Sequence, residues 1–270
     1  MSLAPSRRPP SDEPTFDLDY SVHDVEIDTG RDTAYLTQRI EQLMLQEGFR
    51  PAGRTLDVAC GIGKLAASVG MLGGEGWALD PSEEMLGLGQ FIFERQPPAL
   101  ARGVAEELPF RDGSFDRVIC QGSLDHFVDP QAFMNEAARV LRPDGRAVIA
   151  LANYESLSCH IGRLRQRIST GLLRRPVPPE RLYWQIPPDH YHKGDLPFVL
   201  RLGGERLRLV RCYGVSLLWL TKGWGKFLEP RPRSLTDGVL WALDRIAYLA
   251  PELADMIVSV WQPVGEHEGR

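Results

Sequence analysis

The residues best suited to chemistry lie together between Asp57 and Lys64, in the run Asp-Val-Ala-Cys-Gly-Ile-Gly-Lys. A short apolar lead, Thr55-Leu56, precedes the run, and a helical pattern, Leu65-Ala66-Ala67-Ser68-Val69, follows it. The order reads as strand, glycine turn, helix. Gly61 and Gly63 let the main chain approach a ligand with no Cβ in the way. The first turn of the following helix offers free N–H groups to the same ligand. Asp80 ends the next strand candidate, Trp77-Ala78-Leu79, where its carboxylate is placed to accept from two ribose hydroxyls. A nucleoside-containing ligand suits this arrangement.

Charge narrows the choice of ligand. Gly61-x-Gly63-x-x-Ala66, with an acid about 20 residues further on, also meets the loose dinucleotide fingerprint. A pyrophosphate site favours an apolar strand before its first glycine, whereas here Asp57 stands at the strand end. A carboxylate repels phosphates and suits a cation. S-adenosylmethionine (SAM) carries a sulfonium and an ammonium and no phosphate, so charge favours SAM over NAD. Histidine suits proton transfer near neutral pH. Three of the six histidines are candidates for it: His126, after the fourth strand, and His190 and His192 in Asp189-His190-Tyr191-His192-Lys193, just before a helix. His23, His160 and His267 look incidental.

From Leu56 to Gly63 the chain resembles the first motif of class I SAM-dependent methyltransferases. The resemblance continues through Leu79-Asp80-Pro81-Ser82-Glu83-Glu84-Met85-Leu86 and the stretch from Gly103 to Val118. It extends through Leu124-Asp125-His126-Phe127-Val128-Asp129-Pro130 to Arg139–Arg146. This ordered series is similar to the quinone-biosynthesis and small-molecule branch of the family, over roughly residues 50 to 153. It implies a SAM site lined by Asp57, Ala59, Gly61, Gly63, Asp80, Pro81, Met85, Ala105, Glu106 and Gln121, with S-adenosylhomocysteine (SAH) as the product. His126 would border the methyl donor. Ala59 stands where the family usually has glycine, which is tolerable if its φ stays negative. Val104 stands where many relatives have an Asp that bonds the adenine, so the main chain around Ala105, with Glu106, is left to read the base. Metal-dependent catechol methyltransferases pair a carboxylate after strand four with Asp-Asn after strand five. Here strand five ends Ala152-Asn153, and no metal is expected.

The elements that must hold these residues alternate. Strands are expected near 54–59, 76–80, 99–104, 115–120, 146–151, 207–213 and 256–261. Helices are expected at about 32–47, 63–71, 82–93, 130–141, 155–173 and 195–202, and around Leu240–Leu249 after Thr236-Asp237. Asp144-Gly145 reads as a turn into strand five, and Asp129-Pro130 as a helix cap with Pro at the first position. The pattern predicts an α/β fold: a Rossmann-like, mostly parallel seven-stranded sheet, helices on both faces, and a helical cap made by insertions. In the resembled family the last strand runs antiparallel. The expected organisation is an extended or disordered arm over 1–30, a SAM-binding core over 31–153 and a cap insertion over 154–194. Residues 195–270 complete the sheet and carry a second helical insertion at 214–254.

Composition fits a cytoplasmic enzyme. No apolar run reaches the roughly 18 residues of a membrane span, and Met1–Pro14 lacks the apolar core of a secretion signal. Cys60, Cys120, Cys159 and Cys212 lack metal spacing and read as reduced thiols. Residues 154–233 carry 15 Lys+Arg against 6 Asp+Glu, although the whole chain has a net charge of −5. That basic stretch is either a solvated face or an attractor for an anionic substrate or a negative membrane surface. It holds no recognised nucleic-acid module. The insertions carry Trp184, Trp219, Trp224, Trp241, Tyr183, Tyr191 and Tyr213, as cap core or as contacts for an aromatic substrate. The expected activity is methyl transfer from SAM to a small-molecule O-, N- or C-nucleophile, anionic or aromatic. Two alternatives stand beside it: a membrane-surface enzyme methylating a lipid or prenylquinone, with Leu218-Trp219 and Leu240-Trp241 inserting, and a non-catalytic SAM- or NAD-binding regulator. Oligomeric state is left open.

Overall fold

In the computed structural model, residues 30–175, 184–186, 190–219, 221 and 223–264 are described. The N-terminal arm, the proline cluster at 176–179 and 187–188, Tyr183, Asp189, His23 and His267 lie outside them. One seven-stranded sheet organises the chain, in the order β3-β2-β1-β4-β5-β7-β6. Its strands are β1 Arg54–Val58, β2 Glu75–Asp80, β3 Ala99–Arg102, β4 Phe115–Gln121, β5 Leu141–Ala152, β6 Leu207–Val215 and β7 Met256–Pro263. The first five are parallel, while β7 runs antiparallel between β5 and β6. The helices are α1 Arg31–Gly48, α2 Lys64–Met71, α3 Glu83–Ile92, α4 Pro130–Val140, α5 Leu157–Arg167, α6 Leu196–Arg201, α7 Trp224–Leu228 and α8 Arg233–Leu249.

The period of two along the strands builds two cores. Val118 and Cys120 of β4, with Ala147, Ile149 and Leu151 of β5, face one side, where Phe133, Met134 and Ala137 of α4 cover them. Ile119, Val148 and Ala150 face the other, against Leu36, Ile40, Leu43 and Met44 of α1. The apolar residues of α1 recur at helical spacing, so one stripe of it meets the sheet and the rest stays polar. Burial on both faces explains why the strands read as apolar runs rather than as alternating patterns.

Local signals set most helix starts. Asp129 Oδ1 accepts from the N–H groups of Gln131 and Ala132, with Pro130 at the first position of α4. Asp195 caps α6 through Phe198 N–H at 2.7 Å. Three expectations change. The Asp144-Gly145 turn lies inside β5, where Leu141 pairs with Phe115 and Arg146 with Arg117, so residues 142–145 bulge from the ladder. The helix expected over 155–173 is α5 followed by one wide π-type turn, Ile168–Leu172. α8 begins at Arg233, behind Pro232, rather than after Thr236-Asp237. No helix among the described residues is long and apolar enough to cross a membrane.

Candidate active site

The parallel half of the sheet aims the ends of β1, β2 and β4 at one edge, with β1 and β4 adjacent at the point where strand order reverses. Ligands bind at such a switch point in open α/β sheets. Past β1 the main chain winds tightly: Ala59, Gly61 and Gly63 all have positive φ, at 53°, 55° and 74°. Cys60 N–H donates to Leu79 O at 3.1 Å, and Gly63 N–H donates to Cys60 O at 2.9 Å. Ala59 corrects the expectation of a negative φ. A side chain in that region costs about 1–2 kcal/mol, so this turn holds strain that the family's usual glycine avoids.

Asp80 pins the turn from the neighbouring strand. Its Oδ2 accepts from Gly61 N–H at 2.8 Å and its Oδ1 from Ser82 N–H at 2.9 Å. A carboxylate oxygen has two lone pairs, so each can serve a further donor as well. Pro81 O accepts from Arg102 Nε at 3.0 Å, and buried Met85 packs beneath Gly61. Ser82 caps α3 by accepting from Met85 N–H.

Between this turn and α1 opens a cleft of about 480 Å³, its mouth included, lined by Thr37, Glu41, Asp57, Ala59, Cys60, Lys64, Leu65 and Gln121. Asp57 is 3% exposed, and burial pushes its carboxyl up to about 8, against a main-chain hydrogen bond at Ala66 that pulls the other way and nearby Asp80, which adds to the rise. Gln121 Oε1 is buried with no hydrogen-bond partner among the described residues. A buried acid that a positive charge would ionise, beside a buried acceptor with no partner among the described residues, suits a cation. Lys64 pairs with Glu41 at 2.7 Å at the rim, so its charge is countered there. Burial also raises the Cys60 and Cys120 thiols, and all four cysteines are unbridged.

Ala105 is buried. Glu106 Oε1 accepts from Val128 N–H at 2.9 Å and Asp129 N–H at 3.4 Å, so this carboxylate already orders the loop before α4. Asn153 is also committed: its Nδ2 donates to the carbonyls of Pro251, Glu252 and Ala254, and its Oδ1 accepts from Glu155 N–H.

The histidines divide. His126 and His190 come together, with ring centroids 4.1 Å apart. His190 Nδ1 lies 2.9 Å from Asp125 Oδ2 and 3.2 Å from the Tyr154 hydroxyl. The segment is held by its main chain, since Tyr191 N–H and His192 N–H both donate to Asp125 O. His192 turns elsewhere. Its ring stacks on Phe198 and its Nε2 lies 3.4 Å from Val128 O, a packing position in place of the expected base. Asp125 and Tyr154 join the site from the ends of β4 and β5, and Thr37 and Glu41 from α1. In the sequence Asp125 stands only as one residue of the Leu124–Pro130 motif.

Comparison with known proteins places this geometry. Residues 56–149 match the family model described as "Methyltransferase domain". The chain is 36% identical over 132 residues to the ubiquinone/menaquinone biosynthesis C-methyltransferase of Geotalea uraniireducens, covering 44% of this chain and 52% of the relative. It is 38% identical over 104 residues to the demethylmenaquinone methyltransferase of Beutenbergia cavernae, covering 38% and 42%. The chain thus spans about half or less of the length of these curated relatives. Among solved structures, the PH0226 protein of Pyrococcus horikoshii superposes with a TM-score of 0.54 at 17% identity, covering 92% of this chain and 94% of that one. The YcgJ protein of Bacillus subtilis gives 0.53 at 17%, covering 85% and 99%. At such identities the superpositions show a shared fold.

Proposed function

We propose, from the premise that residues 56–149 form a class I SAM-dependent methyltransferase domain of the quinone-biosynthesis-like type, that this chain methylates an oxygen or carbon nucleophile of a small molecule. The observation that carries the reading is that buried Asp57 and the unpartnered Gln121 Oε1 line one cleft, whose adjoining turn is fixed by Asp80. When bound, SAM supplies a methyl group already activated by its sulfonium. The chain's task is then to bind, align and exclude water. Asp57 and Gln121 receive the ammonium end, Asp80 the ribose, and main chain near Ala105 the base. The acceptor approaches from the Asp125, His126 and His190 side, where these two segments converge with Tyr154. The two relatives are named as a ubiquinone/menaquinone biosynthesis C-methyltransferase and a demethylmenaquinone methyltransferase, which supports a hydroxylated aromatic acceptor here.

Calorimetry with SAH tests the site. Asp80→Asn removes the charge and keeps one acceptor oxygen. A charge-assisted hydrogen bond contributes about 1.5–3 kcal/mol, or about 10- to 150-fold in affinity. SAH binding should weaken at least tenfold, and further in Asp80→Ala, which also releases the Gly61 and Ser82 N–H groups. Equal affinity in wild type and both variants would remove Asp80 from the site. A regulator would bind SAH equally well and methylate nothing in a screen of metabolite extracts with methyl-labelled SAM.

A membrane-surface enzyme is favoured by one further observation. Leu164, Ile168 and Leu172 recur every fourth residue along α5 and the wide turn, and all three are exposed, Leu172 by 78%. Arg165, Arg167, Arg174 and Arg175 accompany them, and residues 157–175 hold no acid. A basic helix with an apolar stripe suits an anionic bilayer surface. The pairs expected to insert do not serve: Leu240 is buried and the Trp219 indole N–H donates to Thr33, which leaves only Trp241 exposed. The chain should co-sediment with vesicles containing anionic lipid and be released by salt, since each surface Arg contributes about 1 kcal/mol. Leu164→Glu with Ile168→Glu should cut the bound fraction at least tenfold. Equal recovery with neutral and anionic vesicles would reject this reading.

A further inference from the structure

We propose that Asp125, His126 and His190 form a binding site for one first-row divalent cation of the zinc type, beside the methyl-transfer cleft. One donor atom from each residue lies within 4.8 Å of the others, a spacing that one ion can bridge. The three come from two segments 64 residues apart in the chain, brought together where the main chain of residues 191–192 hydrogen-bonds to Asp125 O. This is a donor set in place before any ion arrives.

The simplest competing account is an Asp–His pair in which Asp125 orients His190. That account uses one carboxylate oxygen, Oδ2, at 2.9 Å from His190 Nδ1. It leaves Oδ1 buried without a hydrogen-bond partner among the described residues. A buried acceptor left unmade is costly, the more so on a charged group. It also gives no reason for a second imidazole, that of His126, at 4.1 Å between ring centroids. A shared cation accounts for both: it takes the carboxylate and draws two neutral imidazoles to one centre.

The donor chemistry sets the ion class. Two imidazoles and one carboxylate leave coordination positions open, and this set suits zinc and its first-row neighbours. Magnesium and calcium prefer oxygen donors throughout. The site differs from the arrangement of metal-dependent catechol methyltransferases, because Asn153 at the end of β5 spends its side chain on main-chain groups. One carboxylate against a divalent ion leaves a net positive centre with open positions. It would hold an oxygen of the acceptor and favour its ionised form. That role rests on the methyltransferase reading; the binding of the ion does not.

Metal-stripped full-length protein titrated with Co²⁺ and Zn²⁺, followed by calorimetry and by the visible absorption of bound cobalt, tests the site. The expected result is one ion per chain, with cobalt bands of a low-coordinate nitrogen–oxygen site. His126→Ala and His190→Ala should each weaken binding at least tenfold, and His160→Ala, an exposed histidine outside the cluster, should leave it unchanged. SAH affinity, measured in the same variants, should stay within about twofold of wild type, so a failed metal site and a failed cofactor site give different results. Absence of stoichiometric binding to wild type overturns the proposal. So does equal binding by a His126→Ala/His190→Ala double variant, or a loss on His160→Ala that marks an adventitious ion only.

Discussion

Replacing Asp57 by Asn is expected to make the ligand-free protein more stable at pH 8 and to weaken SAM binding at the same time. Burial, the largest influence on Asp57, holds its carboxyl at about 8 in the folded chain, against 3.8 for an unperturbed Asp. Between about pH 4 and 8 the native state keeps this proton and the unfolded chain has released it. The native state binds more protons over that window, so stability falls as pH rises through it. The full difference amounts to as much as about 6 kcal/mol. An Asn at this position has nothing to ionise. The melting temperature of the ligand-free wild type should therefore fall between pH 6 and 8 clearly more steeply than that of Asp57→Asn. Asp255, pushed up to about 6 chiefly by burial, adds a slope between pH 4 and 6 in both proteins and serves as an internal reference. A cationic ligand reverses the balance by favouring the ionised acid. SAM affinity should rise with pH up to about 8, by at most tenfold per pH unit, and binding at pH 7 should release a proton detectable as a buffer-dependent heat. Asp57→Asn should lose that release and bind at least tenfold more weakly. Parallel pH slopes in the two proteins would show that Asp57 is ionised without a ligand.

Gly89→Ala should be among the most damaging single methyl additions in the cofactor half. A Cβ on Gly89 would lie 2.1 Å from Ile62 O and 2.8 Å from its carbonyl carbon, both main-chain atoms of the glycine turn. Main chain cannot rotate away as a side-chain end can, so α3 must lift from the turn or the turn must shift. Overpacking of this kind costs about 1–3 kcal/mol or more, and the displaced turn carries Gly61 and Gly63. Both the melting temperature and SAH affinity should drop, the latter by more than tenfold. Gly87 lies two residues earlier on the same helix, and a Cβ there would meet nothing within 4 Å. Gly87→Ala should therefore stabilise by about 0.5–1 kcal/mol through helix propensity and leave SAH binding alone. Wild-type affinity in Gly89→Ala would separate α3 packing from cofactor binding.

Features decided within a few residues are legible in the sequence. The turn from Asp57 to Lys64, the acid at Asp80 and the caps at Asp129 and Asp195 each depend on neighbours along the chain, and they stand where their residue types place them. The alternation of elements does not give strand order, and the antiparallel sense of the last strand comes from the family resemblance. The twist at Ala59 is hidden because residue type gives a preference for φ, and the hydrogen bonds of Cys60 and Gly63 override that preference here. The meeting of Asp125 and His126 with His190 and Tyr154 is out of reach, since it depends on how the chain after β5 returns across the sheet edge. His192 shows the same limit: its neighbour in sequence is not its neighbour in space, and Phe198 claims its ring. The bulge in β5 is equally hidden, because Asp144-Gly145 signals a turn without saying on which side of it the strand begins.

The position of β7 has a consequence for how the molecule is made. Among the described residues β6 pairs only with β7, and β7 lies between β5 and β6 although it comes last of the three. On a ribosome, the five parallel strands are complete once residue 152 has emerged. The strand that seals β5's open edge begins about a hundred residues later, roughly 5–20 s of elongation at typical rates. Through that interval the growing chain exposes the apolar edge of β5, and from residue 215 onward an unpaired β6 as well. Open edges of this kind recruit other strands. The nascent protein is thus most vulnerable to wrong pairing late in its synthesis, after its cofactor half has the residues it needs to fold.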